Sequence, residues 1–115
     1  MHEPKVAGLI PLKPNWFHIL LTLSDGDRHG YAIMKEVAER TSGKIRLWPA
    51  TLYGTIRRLE EHGLLEPSDY HDPEETDDER RVYYAITAFG RQVLAAEVQR
   101  LEELVRLAHT KGAVV

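Results

Sequence analysis

The chain has 115 residues, 43% of them hydrophobic, enough for one globular domain with a modest core. The absence of cysteine excludes disulfide staples and thiolate metal centres; with no apolar run near the roughly 20 residues of a bilayer span and no secretory pattern after Met1, a cytoplasmic protein is expected. Fifteen Lys and Arg against 18 Asp and Glu give a net charge of −3, which excludes a uniformly basic nucleic-acid binder but leaves local fields open.

Residues 1–14 carry three prolines and little pattern, and read as a flexible arm. Helix one is predicted from near Asn15, a good N-cap, to about Ser24. Trp16, Ile19, Leu20 and Leu23 keep the i, i+3, i+4, i+7 spacing of a core stripe, and Phe17 with Leu21 forms a second stripe beside it. A helix apolar on two sides must be covered on two sides, which assigns one stripe to the core and the other to a second subunit. After a turn at Asp25-Gly26-Asp27, helix two is predicted from Gly30 to Thr41, with Ile33, Met34, Val37 and Ala38 inward and Ser42-Gly43 as its stop. Lys44 to Leu47 alternates polar and apolar, as a short strand or an extended connector would. Helix three opens with Pro49 in its first turn and stops at Gly63.

Leu64 to Asp69 and Arg81 to Thr87 read as two antiparallel strands. In the second, Val82, Tyr84 and Ile86 share one face while Arg81, Tyr83 and Ala85 share the other. Between them, His71 to Glu79 is predicted to be a mobile hairpin tip. Six acids fall in it (Asp72, Glu74, Glu75, Asp77, Asp78 and Glu79) and no Lys or Arg. Setting those six aside leaves 15 basic residues against 12 acidic, and seven basic residues between Arg28 and Arg58 face only Glu36 and Glu39. The last helix is capped by Thr87 and runs to about His109. Its Leu94, Val98, Leu101, Val105 and Ala108 step 4, 3, 4, 3 as a heptad seam does. The fold predicted is mainly α with a small β-hairpin: a winged helix-turn-helix over 15–87 and a C-terminal dimerisation helix over 88–115.

On helix three, at about 100° per residue, Leu52, Ile56 and Leu59 cluster on the core side. Ala50, Gly54, Arg57 and Glu61 lie opposite, with Thr51 and Arg58 beside them and Tyr53 on the flank. Small residues let a backbone approach a base edge or a phosphate, and guanidinium groups fork onto guanine or phosphate. Thr51 lies in the first turn, where free N–H groups attract phosphate. A glycine inside a helix costs roughly 1 kcal/mol against alanine and so asks for a reason. Arg80 and Arg81 at the hairpin base point to the backbone flanking the groove, or else neutralise the neighbouring acids; Lys44 completes the expected DNA contacts.

These residues resemble the PadR family of bacterial transcriptional regulators. The likeness runs through Ile19-Leu20-Leu21, His29-Gly30-Tyr31, Pro49-Ala50-Thr51-Leu52-Tyr53, Arg58-Leu59-Glu60, Gly63-Leu64, Glu79-Arg80-Arg81-Val82-Tyr83-Tyr84-Ala85-Ile86-Thr87 and Gly90, covering about residues 15–110. It implies a homodimeric repressor of the compact subgroup with a single C-terminal helix, which joins helix one in the dimer interface. It also implies a small hydrophobic or phenolic effector as a partner besides double-stranded DNA. A two-fold dimer would place its recognition helices about 34 Å apart and read a palindromic operator.

Two other classes compete with this reading. One is a winged-helix module that binds protein through its acidic tip. The other is a metal-dependent hydrolase built from His71, Asp72, Glu74 and Asp77, which such ligands could serve. The chain has no Gly-rich phosphate loop, nucleophile elbow or cysteine, and His29 fits a turn or packing role better than that of a base. No enzyme activity, cofactor or metal is expected.

Overall fold

The computed structural model describes residues 5–76 and 81–114. A short 3-10 turn, Val6–Gly8, precedes α1 (Pro14–Leu23), β1 (Arg28–His29), α2 (Gly30–Arg40), α3 (Pro49–Glu61), β2 (Leu65–Ser68), β3 (Tyr83–Ile86) and α4 (Ala88–Thr110). The three strands form one antiparallel sheet in the order β1-β3-β2, with Leu65 opposite Ile86, Ser68 opposite Tyr83, and His29 also opposite Tyr83.

Local chemistry sets the helix limits. Lys13, not Asn15, caps α1, because Pro14 at the first helical position supplies a preset φ and needs no N–H partner. α2 stops one residue earlier than predicted, at Arg40. Thr41 caps it, and its hydroxyl binds the Val37 carbonyl and the Ile45 N–H. Gly63 takes a φ of +72°, after which the Leu64 N–H turns back to the Leu59 carbonyl at 2.9 Å. Thr87 caps α4: its Oγ1 accepts from the Gly90 N–H at 2.9 Å and donates to the Gly63 carbonyl. A Cβ on Gly90 would overlap the Leu64 carbonyl oxygen, so α4 begins in close contact with the corner between α3 and β2.

Ile19, Leu20, Leu23, Ile33, Val37, Leu52, Ile56, Leu59, Leu64, Leu65 and Val93 form the buried core, as the helical periodicities predict. Trp16 is only half-buried and lies against the His62 ring, with centroids 5.3 Å apart.

The structure decides some expectations and corrects others. Of the two readings offered for Lys44 to Leu47 the connector holds, without strand pairing, and the third strand is Arg28–His29. Val82, expected to share a face with Tyr84 and Ile86, is 61% exposed while those two are buried, and β3 begins only at Tyr83. Tyr83 is buried although it faces away from Tyr84, because His29 and Tyr70 pack edge-on against its ring at 5.2 and 4.8 Å. The segment 5–13 is no loose arm: Leu12 is buried, and its N–H donates to Glu97 Oε2 at 2.7 Å, while Val6, Leu9 and Ile10 pack on the core. Glu97 is 2% exposed and paired with Arg100, a buried carboxylate that fastens the chain's start to α4.

Of the acidic stretch, residues 71–76 are described, and they fold back rather than hang free. The Glu75 N–H donates to the Asp72 carbonyl at 3.0 Å, and Glu75 Oε1 accepts from the Tyr83 hydroxyl at 3.2 Å. Asp77, Asp78, Glu79 and Arg80 lie outside the described residues.

Candidate nucleic-acid interface

α3 divides as its sequence dictates. Leu52, Ile56 and Leu59 are buried, while Ala50, Thr51, Tyr53, Arg57, Arg58 and Glu61 are exposed, as is Lys44 before the helix. Thr55 is also buried, its hydroxyl donating to the Thr51 carbonyl at 2.8 Å. Gly54 sits on the outer side, where an added Cβ would meet only the Arg58 guanidinium, at 3.9 Å. Among the described residues nothing requires glycine there.

Arg57 and Arg58 take part in no ion pair among the described residues, so Glu61 does not neutralise Arg57 one turn away. Tyr53 leans toward α2, where a Cβ on Gly30 would stand 2.5 Å from the tyrosine hydroxyl. That close fit joins α3 to the start of α2. Burial first, then Tyr53 and Glu60, raises the pKa of Tyr84 beneath this contact.

The base of the wing adjoins it. Arg81 is exposed and its Nη1 lies 3.1 Å from His29 Nε2. His29 Nδ1 accepts from the Ala32 N–H at 3.1 Å and thereby caps α2. The ring is a cap and a packing residue, as expected. Sequence reasoning passed over its second nitrogen, and also the exposed Tyr31 and Trp48, which with Lys35 and Arg46 line a groove of about 470 Å³ beside the start of α3. One signal was available for Trp48: it stands just before Pro49, outside the stripe that α3 buries.

The expected dimer residues fall into two groups. Phe17, Leu21, Val98 and Ala108 are half-buried and Leu94 is buried, whereas Leu101 and Val105 are 37% and 57% exposed. Leu104 and Leu107, outside the predicted seam, are exposed too, so the second half of α4 presents four aliphatic side chains. Among the described residues no group of three or more His, Asp or Glu is placed to hold a metal ion, and His71, Asp72 and Glu74 are not gathered into one. No helix among the described residues is long and apolar enough to cross a membrane.

Three helices, a small sheet ending in a β2–β3 wing, and an outward α3 bearing arginines define a winged helix-turn-helix protein with an appended helix. The Transcriptional regulator PadR-like family matches residues 19–96, and the chain belongs to that family. It is 34% identical over 100 residues to Transcriptional regulator Rv3488 of Mycobacterium tuberculosis, covering 83% of this chain and 87% of that protein. A PadR family transcription regulator from hypervirulent Clostridium difficile R20291 superposes with a TM-score of 0.71 at 26% identity, over 85% of this chain and 97% of that one. A transcriptional regulator from Clostridium thermocellum gives 0.66 at 25% identity, over 96% of each chain.

Proposed function

We propose that this transcriptional regulator is a repressor that binds a palindromic operator as a two-fold dimer, with α3 of each protomer in the major groove. Gly54 carries the reading. A mid-helix glycine that internal packing does not explain, followed by two arginines on an exposed face, suits a helix that must lie close against another molecule. Arg57 and Arg58 supply forked donors, Ala50 and Gly54 supply clearance, and Thr51 and Lys44 address the phosphates. Arg81 serves the flanking backbone from the wing.

The exposed end of α4 supports the two-fold part of this reading. Four exposed aliphatic residues on the second half of α4 favour a second copy, with the half-buried Phe17 and Leu21 of α1 contributing alongside. Selection of duplexes from a random pool by the full chain tests both parts. The expected product is an inverted repeat with half-sites about one helical turn apart. Recovery of asymmetric sites, or no enrichment, would refute it. Sedimentation at micromolar concentration should show twice the 13.2 kDa protomer.

A further inference from the structure

Among the described residues, two nitrogen donors meet at the base of the wing with no acceptor between them. His29 Nδ1 accepts from the Ala32 N–H, and a neutral imidazole that accepts through Nδ1 carries its proton on Nε2. That Nε2 stands 3.1 Å from Arg81 Nη1, which can only donate. The cap belongs to the fold, whereas Arg81 is an exposed side chain, so the cap fixes the tautomer. Protonation offers His29 no escape, because a proton on Nδ1 would abolish the cap. Burial, then the Arg81 guanidinium, lowers its pKa, with Glu75 opposing.

An imidazole N–H and a guanidinium this close together can both donate to one anionic oxygen seated beside them. The seat lies between the two parts already assigned to DNA. On one side Gly30 follows His29 and packs under Tyr53 of α3; on the other, Arg81 opens the strand that carries Tyr83. A negative group already stands beside it. Glu75 accepts from the Tyr83 hydroxyl at 3.2 Å and from the Arg81 N–H at 3.4 Å. Burial, and next the Glu75 carboxylate, raises the Tyr83 pKa, so that phenol stays a donor.

We propose that His29 and Arg81 together seat one backbone phosphate of duplex DNA, and that the Glu75 carboxylate competes with it. This rests on the DNA-binding reading above. A phosphate held there fixes the wing relative to α3 and carries no base information. Glu75 opposes every phosphate alike, so it weakens binding to unrelated duplex as much as to the operator.

The test follows the histidine rings of the full chain by long-range proton–nitrogen NMR, free and then with the selected duplex or with inorganic phosphate. His29 is expected as the Nε2–H tautomer, with its Nε2 signal moving in step with the α3 amides as duplex is added. Inorganic phosphate, lacking the rest of the interface, should move it only at far higher concentration. His29→Asn keeps a capping acceptor but not the second donor. It should weaken operator binding about tenfold, as loss of a hydrogen bond to a charged group does, and leave the salt slope unchanged. Arg81→Ala should reduce that slope by about 0.9, and Glu75→Gln should tighten binding to unrelated duplex. An Nδ1–H tautomer, or α3 amides that move while His29 and the His29→Asn affinity do not, overturns this proposal alone. If no duplex moves the α3 amides, the DNA-binding reading falls with it.

Discussion

α3 and the second half of α4 are both exposed, yet they are exposed in opposite ways. α3 shows small residues and guanidinium groups, with a glycine where alanine would fit; α4 shows Leu101, Leu104, Val105 and Leu107. Water tolerates the first surface without help, because charged heads stay hydrated and short side chains remove little apolar area. The second is an apolar strip that a lone protomer leaves uncovered. Exposure alone therefore says little about function. What is exposed separates the face proposed for a polyanion from the face proposed for a second copy.

The largest break in this comparison comes from charging the α4 strip. Leu101→Asp with Val105→Asp leaves the protomer core untouched, since neither side chain is buried. Sedimentation should then show a monomer with unchanged circular dichroism. Without the coupled second half-site, operator binding should weaken by roughly 10² to 10⁴. A dimer that survives both charges would move the interface off α4.

The next effect belongs to α3. Arg57→Ala combined with Arg58→Ala should cost about 1–3 kcal/mol for each arginine that grips a base edge. For each that grips a phosphate, the salt slope should instead fall by about 0.9. Gel shifts across a salt series tell the two apart: a deficit equal at all salt concentrations marks base recognition. Unchanged affinity would remove α3 as the reader while leaving the α4 result standing.

Much of this contrast was legible in the sequence, and the misses have definite causes. The core faces of the helices follow from a period that ten or more residues repeat, so Ile19, Leu20, Ile33, Leu52 and Ile56 could be placed. β1 has two residues and no period to detect. Tyr83 packs against His29 and Tyr70, which come from other parts of the chain, so alternation along its own strand could not show its burial. The docking of residues 5–13 depends on Glu97, and a carboxylate on an amphipathic helix reads as a surface charge until its partners Leu12 and Arg100 are seen. The exposure of the outer face of α3 was the easier case, because residues off the apolar stripe of a long helix are left outside the core.

Gly54→Ala sharpens the comparison with a smaller effect of mixed sign. The new methyl has room, so the helix should gain about 0.5–1 kcal/mol, read as a rise in thermal midpoint. Operator affinity should fall at the same time, because that methyl occupies the clearance. A variant both more stable and equally tight would show that Gly54 has no part in the interface. The same substitution at Gly90, where the Cβ meets backbone, should instead prevent normal docking of α4.

The smallest effect is a difference in how the two ends respond to acid. Burial, then Arg81, lowers His29 below its ordinary 6.5, and burial, then Arg40, lowers His18 likewise. The unfolded chain therefore takes up these protons first. Their stabilisation is fully present above about pH 6.5 and is lost as the pH falls through the folded values. Glu97 is held below its ordinary 4.5 chiefly by the Arg100 hydrogen bond, with burial opposing and the Leu12 N–H assisting. Its contribution is present above pH 4.5 and fades only on further acidification. Amide exchange should register this as two steps: protection at Ala32, under the His29 cap, weakens first, and protection at Leu12, under the Glu97 latch, weakens later. Simultaneous loss at both would mean that the α2 cap and the α4 latch open as one unit, and that the two faces are less independent than their chemistry suggests.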